Sequence, residues 1–487
     1  MTGHGEGEEH GAHGVVARAG RVAGPALGIA VALWMHPAAG AASSLPGEAA
    51  IAAGLLAWMA TWWVTQAVDL AVTAMLPAAL LPVLGVVPFK DVAASYADNV
   101  IFLFAGGSVI AIALDRHGVS SHFVHWLLSA AGTRPALVVT ALFAAATSAS
   151  AFVSNTATTA LMLPLAIGVA ASAVPRAGAL PEVAAASARN FTCAVLLAIA
   201  YGSTVGGGAT LIGSPPNAIA ANFLRAEGVE IDFLGWARIG TPIALAVSPV
   251  VVLVLTRMLP THGVVLARRG RDSLPPLGFP GWATLAVFGA AVLVWTTSSA
   301  WPDGWRPEGL TDGGVAIAAA VLLMVLPAGR GRATRIVPWA CTRDLPWGVF
   351  LLFGGGLAIG DAMQRTGLST AIGELFAGLG ALPGPLVLGT IVVSLAFASE
   401  IGSNTALTAT AVPILGAVAP ALGMPVEKVA IATAFGASYA FMLPVGTPPN
   451  ALVFGTGKVP HGTMVRVGLV LNLCVAAVVT AMLWLLM

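Results

Sequence analysis

Residues 151–160 read AFVSNTATTA, and 249 positions further along the chain residues 400–409 read EIGSNTALTA. A second pair of polar segments follows these two, GSPPN at 213–217 and GTPPN at 446–450. Short segments with hydroxyl and amide side chains, repeated within apolar sequence, indicate a duplicated membrane transporter with one polar site between its halves.

The amino-acid composition is that of an integral membrane protein. Of the 487 residues, 57% are hydrophobic and 9% are charged, whereas soluble domains have about 25% charged residues. Such a small charged fraction cannot cover a water-facing surface, so we expect a multi-pass protein of the inner cell membrane, surrounded by the lipid bilayer. The net charge of +1 excludes nucleic acid as a partner, because nucleic-acid binding requires a basic surface.

Apolar stretches long enough to cross a bilayer predict about 11 transmembrane helices. They lie near residues 21–38, 50–67, 69–87, 99–115, 191–212, 241–259, 282–299, 313–328, 347–363, 428–445 and 466–486. Two further apolar stretches, 136–174 and 384–422, carry Ser-Asn-Thr near their middle. We interpret both as re-entrant hairpins, because a polar turn at mid-membrane is tolerated where it lines a cavity. The predicted fold class is an all-α polytopic membrane protein.

Two arginine-rich connections predict the orientation in the membrane. They contain Arg268, Arg269 and Arg271, and Arg330, Arg332, Arg335 and Arg343. Positive charge is enriched in cytoplasmic loops, so we expect both connections and the N-terminus in the cytoplasm and the C-terminus on the periplasmic or external side. An odd number of crossings separates matching points of the two halves, which makes the repeats inverted and brings both hairpin tips toward the midplane.

The repeats divide the chain into five predicted segments. These are a disordered cytoplasmic tail at 1–20, N-terminal scaffold helices at 21–95, the first inverted repeat at 96–260, scaffold helices of the second repeat at 261–345, and the rest of the second inverted repeat at 346–487. Hairpin tips are expected at 154–156 and 403–405, and broken helices at 213–217 and 446–450. The asparagines of tip and break are 62 residues apart in the first repeat and 46 in the second, and we expect the extra length within 171–190.

Eight uncharged polar side chains occupy the tips and the breaks. They are Ser154, Asn155, Thr156, Ser214, Ser403, Asn404, Thr405 and Thr447. A hydroxyl or amide without a partner is costly in hydrocarbon, so the set predicts a binding site rather than contacts between helices. Proline pairs predict helix breaks that free carbonyl oxygens for a cation. Hydroxyls, amides and helix N-termini can hold carboxylates, and co-bound cations would offset the substrate charge, which predicts symport.

Glu400 is the acidic residue beside the second tip. It could be a proton site, or it could hold the hairpin backbone in place through hydrogen bonds. An intramembrane enzyme would need a nucleophile–base pair or a metal cluster. The sequence has neither a buried histidine-rich set nor paired acids in the apolar stretches, so we expect a protein that is not an enzyme.

The paired Ser-Asn-Thr and Ser/Thr-Pro-Pro-Asn elements, within about 95–230 and 346–487, resemble the divalent anion/sodium symporter family of dicarboxylate and citrate carriers. The resemblance implies a homodimer, with a scaffold domain and a transport domain that moves like an elevator. It implies one sodium ion at Ser150, Ser154, Asn155 and Gly213, and a second at Ser399, Gly402, Asn404 and Gly446. It implies that the substrate carboxylates meet Asn155, Thr156, Ser214, Asn404, Thr405 and Thr447.

The resulting hypothesis is sodium-coupled uptake of a C4-dicarboxylate such as succinate, malate or fumarate, with Na+ as the co-transported ion. Two alternatives within the same family are a sodium-independent dicarboxylate exchanger and a citrate or sulfate carrier. A third alternative is an ion antiporter of related architecture.

Overall fold

The computed structural model describes residues 5–36, 46–267, 275–302, 305–329, 334–375 and 383–487. These residues form 21 α-helices and one two-stranded sheet, which confirms the predicted helical membrane fold. Within the described ranges, six helical segments are long and apolar enough to cross a bilayer by their length and composition. They are Val16–Met35, Phe89–Arg116, Pro181–Gly207, Phe233–Met258, Phe279–Thr297 and His461–Leu486.

The chain begins with seven helices. They are α1 (Gly5–Met35), α2 (Gly47–Thr65), α3 (Leu70–Ala74), α4 (Leu76–Leu80), α5 (Phe89–Ser95), α6 (Asn99–Arg116) and α7 (Val119–Ala131). Helix α1 includes most of the segment 1–20, which was expected to be a disordered tail. The apolar sequence that follows nucleates a helix, and each added residue then extends it at little cost.

The predicted span 69–87 is wrong as a single crossing, because the structure has two five-residue helices there, α3 and α4. Asp69 starts α3 by accepting a hydrogen bond from the Ala71 N–H at 2.8 Å. Pro77 lies in the first turn of α4, where its missing N–H breaks the continuity with the preceding turn. Hydropathy alone does not detect this break.

The rest of the first half contains α8 (Pro135–Ser150), α9 (Asn155–Ala171), β1 (Ala173–Pro175), α10 (Pro181–Gly207), α11 (Pro215–Ala226), α12 (Phe233–Met258) and β2 (Val264–Leu266). The second half contains α13 (Phe279–Thr297), α14 (Asp312–Val325), α15 (Trp347–Arg365), α16 (Leu368–Leu375), α17 (Gly384–Ser399), α18 (Asn404–Val418), α19 (Val426–Ser438), α20 (Pro448–Phe454) and α21 (His461–Leu486). Short 3-10 helices occur at Ser298–Ala300 and Trp339–Asp344.

The helix lengths repeat together with the sequence. Helices α8 and α17 have 16 residues each, and α12 and α21 have 26 each. Pro164 and Pro413 occupy equivalent positions inside α9 and α18. Gly118 and Gly367 both have a positive φ, 73° and 76°, a conformation that favours glycine. The two halves therefore share one fold.

Both predicted hairpins are present as pairs of short helices, α8 with α9 and α17 with α18. Their limbs have 15 to 17 residues, which corresponds to about 24 Å at 1.5 Å per residue. A bilayer core is about 30 Å thick, so a limb that starts at one face ends inside the membrane. Limbs of this length therefore suit the re-entrant hairpins expected from the sequence.

Both predicted helix breaks are also present, between α10 and α11 and between α19 and α20. Much of the extra length of the first repeat lies in α10, which has 27 residues against 13 in α19. The extra residues of α10 lie at its start, because the breaks that follow α10 and α19 match, and this agrees with the expected location within 171–190. In that region β1 pairs antiparallel with β2, which joins the end of the first hairpin to the segment after α12.

Several predicted topology markers lie outside the described residues, namely Arg268, Arg269, Arg271, Arg330 and Arg332. Arg335 and Arg343 are described and exposed. Arg335 donates from Nη1 to the Val325 carbonyl oxygen at 3.1 Å, so it caps the end of α14.

Candidate functional site

The serine of each Ser-Asn-Thr tip caps the second limb of its hairpin. Ser154 Oγ accepts a hydrogen bond from the Ala157 N–H, and Ser403 Oγ accepts one from the Ala406 N–H, both at 3.3 Å. Serine is a favoured residue at this position because it satisfies a free helical N–H. The hydroxyl of Ser154, predicted as a sodium ligand, thus already has a structural partner.

The side chain of Asn155 lies in a cluster of oxygen atoms. Its amide end is 2.7 Å from Ser150 Oγ, 3.1 Å from the Ser203 carbonyl oxygen and 3.3 Å from the Gly213 carbonyl oxygen. With the amide nitrogen turned toward these atoms, Asn155 donates to all of them. With the amide oxygen turned inward, four oxygens converge, as the ligands of a hard cation do.

This cluster contains three of the four residues predicted for the first sodium ion. Ser150, Asn155 and Gly213 come together, and Ser203 adds a carbonyl oxygen that was not among the predicted ligands. The break of the first repeat thus contacts the tip of the first hairpin. A backbone carbonyl gives no signal in sequence, so Ser203 could not have been identified from its side chain.

The second tip has a different set of contacts. Asn404 Nδ2 donates to the Ser438 carbonyl oxygen at 3.3 Å, and among the described residues Asn404 Oδ1 and Ser438 Oγ are buried without a hydrogen-bond partner. Buried polar atoms normally have partners, and these oxygens are of the type that binds sodium. Ser399 is fully buried and donates to the Ala396 carbonyl oxygen at 2.9 Å.

Gly402 and Gly446, both predicted for the second sodium ion, differ in how closely they are packed. Gly402 is open, since an added Cβ would have the Ala398 carbonyl oxygen as its nearest neighbour at 3.9 Å. Gly446 packs against Glu400, because an added Cβ would lie 2.6 Å from Glu400 Oε2. The described contacts therefore join Asn404 to Ser438 and Gly446 to Glu400, and do not gather the four predicted residues into one cluster.

A cavity of about 550 Å³ lies between α9 and α20. Its walls are mainly apolar and consist of Thr156, Leu163, Pro448, Ala451, Leu452, Gly455 and Thr456. Thr156 is exposed to it, so the tip of the first repeat meets the break of the second. The cavity continues from Thr156 along α9, away from the tip.

Only one of the six predicted substrate residues, Thr156, lines this cavity. Ser214 and Thr447 are buried, at 5% and 3% exposure, and Thr447 Oγ1 accepts a hydrogen bond from the Asn450 N–H at 3.3 Å. Thr405 is half-buried beside Asn404. Thr447 lies directly before Pro448, which borders the cavity.

The final asparagine of each Pro-Pro-Asn segment holds the break together. Asn217 Nδ2 donates to the carbonyl oxygens of Gly207 and Thr210 at 2.7 and 2.8 Å. Asn450 Nδ2 donates to the Leu443 carbonyl oxygen at 3.1 Å. Each amide thus replaces donors that the interrupted helix lacks. The repetition of this asparagine after each proline pair is the sequence signal for its role.

Glu400 binds the backbone of the second break. Its Oε1 accepts from the Met442 N–H at 2.8 Å and from Asn472 Nδ2 at 2.7 Å, and its Oε2 accepts from the Leu443 N–H at 2.7 Å. Asn472 Oδ1 accepts from the Phe441 N–H at 3.1 Å. These contacts favour the structural role of Glu400, although the backbone that it holds belongs to the break rather than to its own hairpin.

Comparison with known proteins gives a consistent result. A family model described as citrate transporter matches residues 60–436. The sodium-dependent dicarboxylate transporter SdcS of Staphylococcus saprophyticus is 33% identical over 466 residues, which is 93% of this chain and 88% of that protein. The protein of the same name from Staphylococcus aureus strain RF122 is 32% identical over 472 residues, which is 94% of this chain and 89% of that protein.

Among solved structures, the crystal structure of the Alcanivorax borkumensis YdaH transporter is similar, with a TM-score of 0.54 and 18% identity. The match covers 82% of this chain and 87% of that chain. At this identity the likeness supports the fold alone. The matched family and the relatives are transporters, so the interpretation as a transporter rather than an intramembrane enzyme is confirmed.

Proposed function

This chain belongs to the divalent anion/sodium symporter family, and we propose that it is a sodium-coupled carrier that takes up C4-dicarboxylates such as succinate, malate and fumarate. The observation that carries the proposal is the cluster of oxygens around Asn155, formed by the tip and the break of the first repeat. Uncharged oxygens from a hydroxyl, an amide and two carbonyls suit a monovalent cation. The relatives named as sodium-dependent dicarboxylate transporters support the same ion and substrate class.

The first sodium ion would be held by Ser150, Asn155, Gly213 and the Ser203 carbonyl oxygen, with Ser154 nearby as a helix cap. The second would use Ser399, Gly402, Asn404 and Gly446. Unpaired oxygens of Asn404 and Ser438 support a cation near the second tip.

The substrate carboxylates would bind at Asn155, Thr156, Ser214, Asn404, Thr405 and Thr447. The exposure of Thr156 in the cavity supports access from that side. The first turns of α9 and α18 carry free N–H groups that attract carboxylates. Bound sodium would offset the remaining negative charge, so the affinity for substrate depends on the cation.

The proposed mechanism is an elevator motion of the hairpins and broken helices against a scaffold built from the remaining helices. Helices α11 and α20 both pack against the second limb of the other hairpin, α18 and α9 respectively. Helix α11 also packs against α15, whereas α20 borders the cavity. This asymmetry supports a state that is open on the α20 side. In the opposite state the two repeats would exchange these environments. We further propose a homodimer with a cytoplasmic N-terminus.

The test is uptake of radiolabelled succinate into proteoliposomes, with an inward gradient of sodium or of choline as the matched control. We expect rapid uptake with sodium and background uptake with choline. Excess unlabelled malate or fumarate should compete, and citrate and sulfate should compete less. Equal uptake in both gradients would instead identify a sodium-independent exchanger. Preferential competition by citrate or sulfate would reassign the substrate.

A further inference from the structure

The break between α19 and α20 is bound through its backbone N–H groups by two buried polar side chains from other elements. Glu400 accepts from Met442 and Leu443, and Asn472 accepts from Phe441. Both side chains are 1% exposed, and they are joined by the bond from Asn472 Nδ2 to Glu400 Oε1 at 2.7 Å. Three consecutive backbone donors are therefore satisfied by one pair of side chains.

The equivalent position in the first repeat is occupied by an uncharged residue. Ala151 stands 249 positions before Glu400, and Thr210 stands 233 positions before Leu443. Here Thr210 Oγ1 donates to the Ala151 carbonyl oxygen, so the tip and the break of the first repeat are also tied together. The same mechanical connection thus exists in both halves, but only the second half makes it with a carboxylate.

The Glu400 carboxylate accepts three hydrogen bonds, two from backbone N–H groups and one from the Asn472 amide. The ion pairs found among the described residues involve Arg225 with Asp98, and Arg365 with Asp91 and Asp361. In this part of the chain no cationic side chain pairs with Glu400. A buried negative charge without a counter-ion is unfavourable, and a bound cation would relieve it.

The carboxylate lies directly beside the second candidate sodium site. An added Cβ on Gly446 would be 2.6 Å from Glu400 Oε2, and Gly446 is one of the residues that would hold the second ion. We infer that Glu400 is a positioning residue whose charge makes the second sodium site bind its cation more tightly than the first. The first site, with Ala151 in the equivalent place, has no such charge. The inference rests on the proposed sodium coupling.

The test compares the sodium dependence of succinate uptake in proteoliposomes between the wild type and Glu400→Gln. Glutamine has nearly the same size and keeps one acceptor oxygen, but it carries no charge. We expect the sodium concentration for half-maximal uptake to rise at least tenfold, which corresponds to about 1.4 kcal/mol. The KM for succinate at saturating sodium should stay within about twofold of the wild-type value, because the substrate contacts are retained.

The matched control is Thr210→Val, which breaks the equivalent connection in the first repeat without changing charge. We expect it to lower the maximal uptake rate while the half-saturating sodium concentration stays within about threefold of the wild-type value. A sodium titration of the melting temperature of the purified protein, at constant ionic strength with choline chloride, measures cation binding without substrate. In that titration the melting temperature of Glu400→Gln should reach half of its rise at a higher sodium concentration than that of Thr210→Val.

The outcomes separate the inference from the function on which it rests. Sodium-independent uptake by the wild type would overturn the proposed coupling. Sodium-dependent wild-type uptake with an unchanged sodium requirement in Glu400→Gln would overturn only the role of Glu400. If Glu400→Gln does not fold, Glu400→Asp decides the matter, since it keeps the charge but shortens the side chain. If the half-saturating sodium concentration of Glu400→Asp stays within about threefold of the wild-type value, the role of charge is supported. A tenfold rise in that concentration contradicts it.

Discussion

Tyr201 of α10 donates a hydrogen bond to the backbone carbonyl oxygen of Phe441 at 2.9 Å, and the two rings meet edge to face with centroids 5.2 Å apart. Tyr439 in turn donates to the Val205 carbonyl oxygen at 3.2 Å. The earlier residue of α10 contacts the later residue of the second break, so the two segments run antiparallel. Inverted repeats that cross near the midplane produce this pairing. Helix α10 of the first half therefore holds the break of the second half.

Tyr201→Phe should destabilise the protein and reduce transport. The ring remains, but the buried Phe441 carbonyl oxygen loses its donor, which costs about 1–2 kcal/mol. The melting temperature in detergent should fall by several degrees, and succinate uptake should fall with it. Tyr96→Phe is the control, because Tyr96 donates to the Ala74 carbonyl oxygen away from both breaks. It should lower stability and keep the sodium dependence of uptake. Wild-type stability and uptake in Tyr201→Phe would contradict the role of this bond.

The parts of the fold that the sequence predicted are those whose signal lies within a short segment. Proline pairs interrupt a helix wherever they occur, and a Ser-Asn-Thr turn inside apolar sequence marks a hairpin tip. The split of α3 from α4 was missed because mean hydropathy does not register a break, although Pro77 was a local signal. The start of α1 was missed because helix propagation depends on the residues that follow.

The parts of the site that were not predicted depend on residues far apart in sequence. Glu400 contacts backbone groups more than 40 residues away and Asn472 at a separation of 72. No sequence motif links two residues that are this far apart, so their contact is not visible in the sequence. The Ser203 carbonyl oxygen beside Asn155 belongs to the backbone, so its residue type does not reveal it. A repeated motif can therefore point to a candidate side chain, but not to the backbone atoms or distant residues that surround it.

Asn155→Ala and Asn404→Ala should each reduce succinate uptake by about two orders of magnitude, because each removes an amide oxygen that we assign to a sodium ion and to the substrate. Both proteins should remain folded, since alanine is compatible with the first turn of a helix. Asn190→Ala is the matched control. Asn190 donates to the Pro260 carbonyl oxygen at an exposed position, so its loss should leave uptake close to wild type. Near-normal uptake by both tip variants would remove the site assignment.

Substitution of glycine by alanine should be costly at the break of the first repeat and tolerated at the open tip of the second. In Gly213→Ala the new Cβ would lie 2.6 Å from the Gly207 carbonyl oxygen. Backbone cannot yield easily, so we expect a loss of about 1–3 kcal/mol in stability together with loss of uptake. Gly402→Ala should change stability by less than about 0.5 kcal/mol, because its nearest neighbour would be 3.9 Å away.

The control for this series is Gly168→Ala, a position in α9 where an added Cβ has no neighbour within 4 Å. It should be neutral or stabilising by up to about 1 kcal/mol, since alanine favours a helix over glycine. The measurement is the melting temperature in detergent together with uptake in sodium. A Gly213→Ala protein as stable as Gly402→Ala would show that the break is more adaptable than its packing implies.

Asn222 of α11 is the position equivalent to Gly455, the residue that follows α20, 233 residues later. Gly455 lines the open cavity, whereas Asn222 is 1% exposed and both of its amide atoms lack a partner among the described residues. An unpaired buried amide is unfavourable, and an exchange of environments between the repeats would bring it into contact with water. Asn222 should therefore become accessible in the opposite state of the transport cycle.

Labelling of single cysteines with a membrane-impermeant maleimide measures this accessibility, in a transport-competent background without Cys193, Cys341 and Cys474. Gly455→Cys should react quickly without sodium or substrate. Asn222→Cys should react slowly under those conditions and on the order of tenfold faster during turnover with sodium and succinate, because turnover populates the second state. Leu196→Cys, in the fully buried core of α10, should stay unreactive and reports unfolded protein. Labelling of Asn222→Cys that is equally fast in all conditions would contradict an exchange of environments between the two repeats.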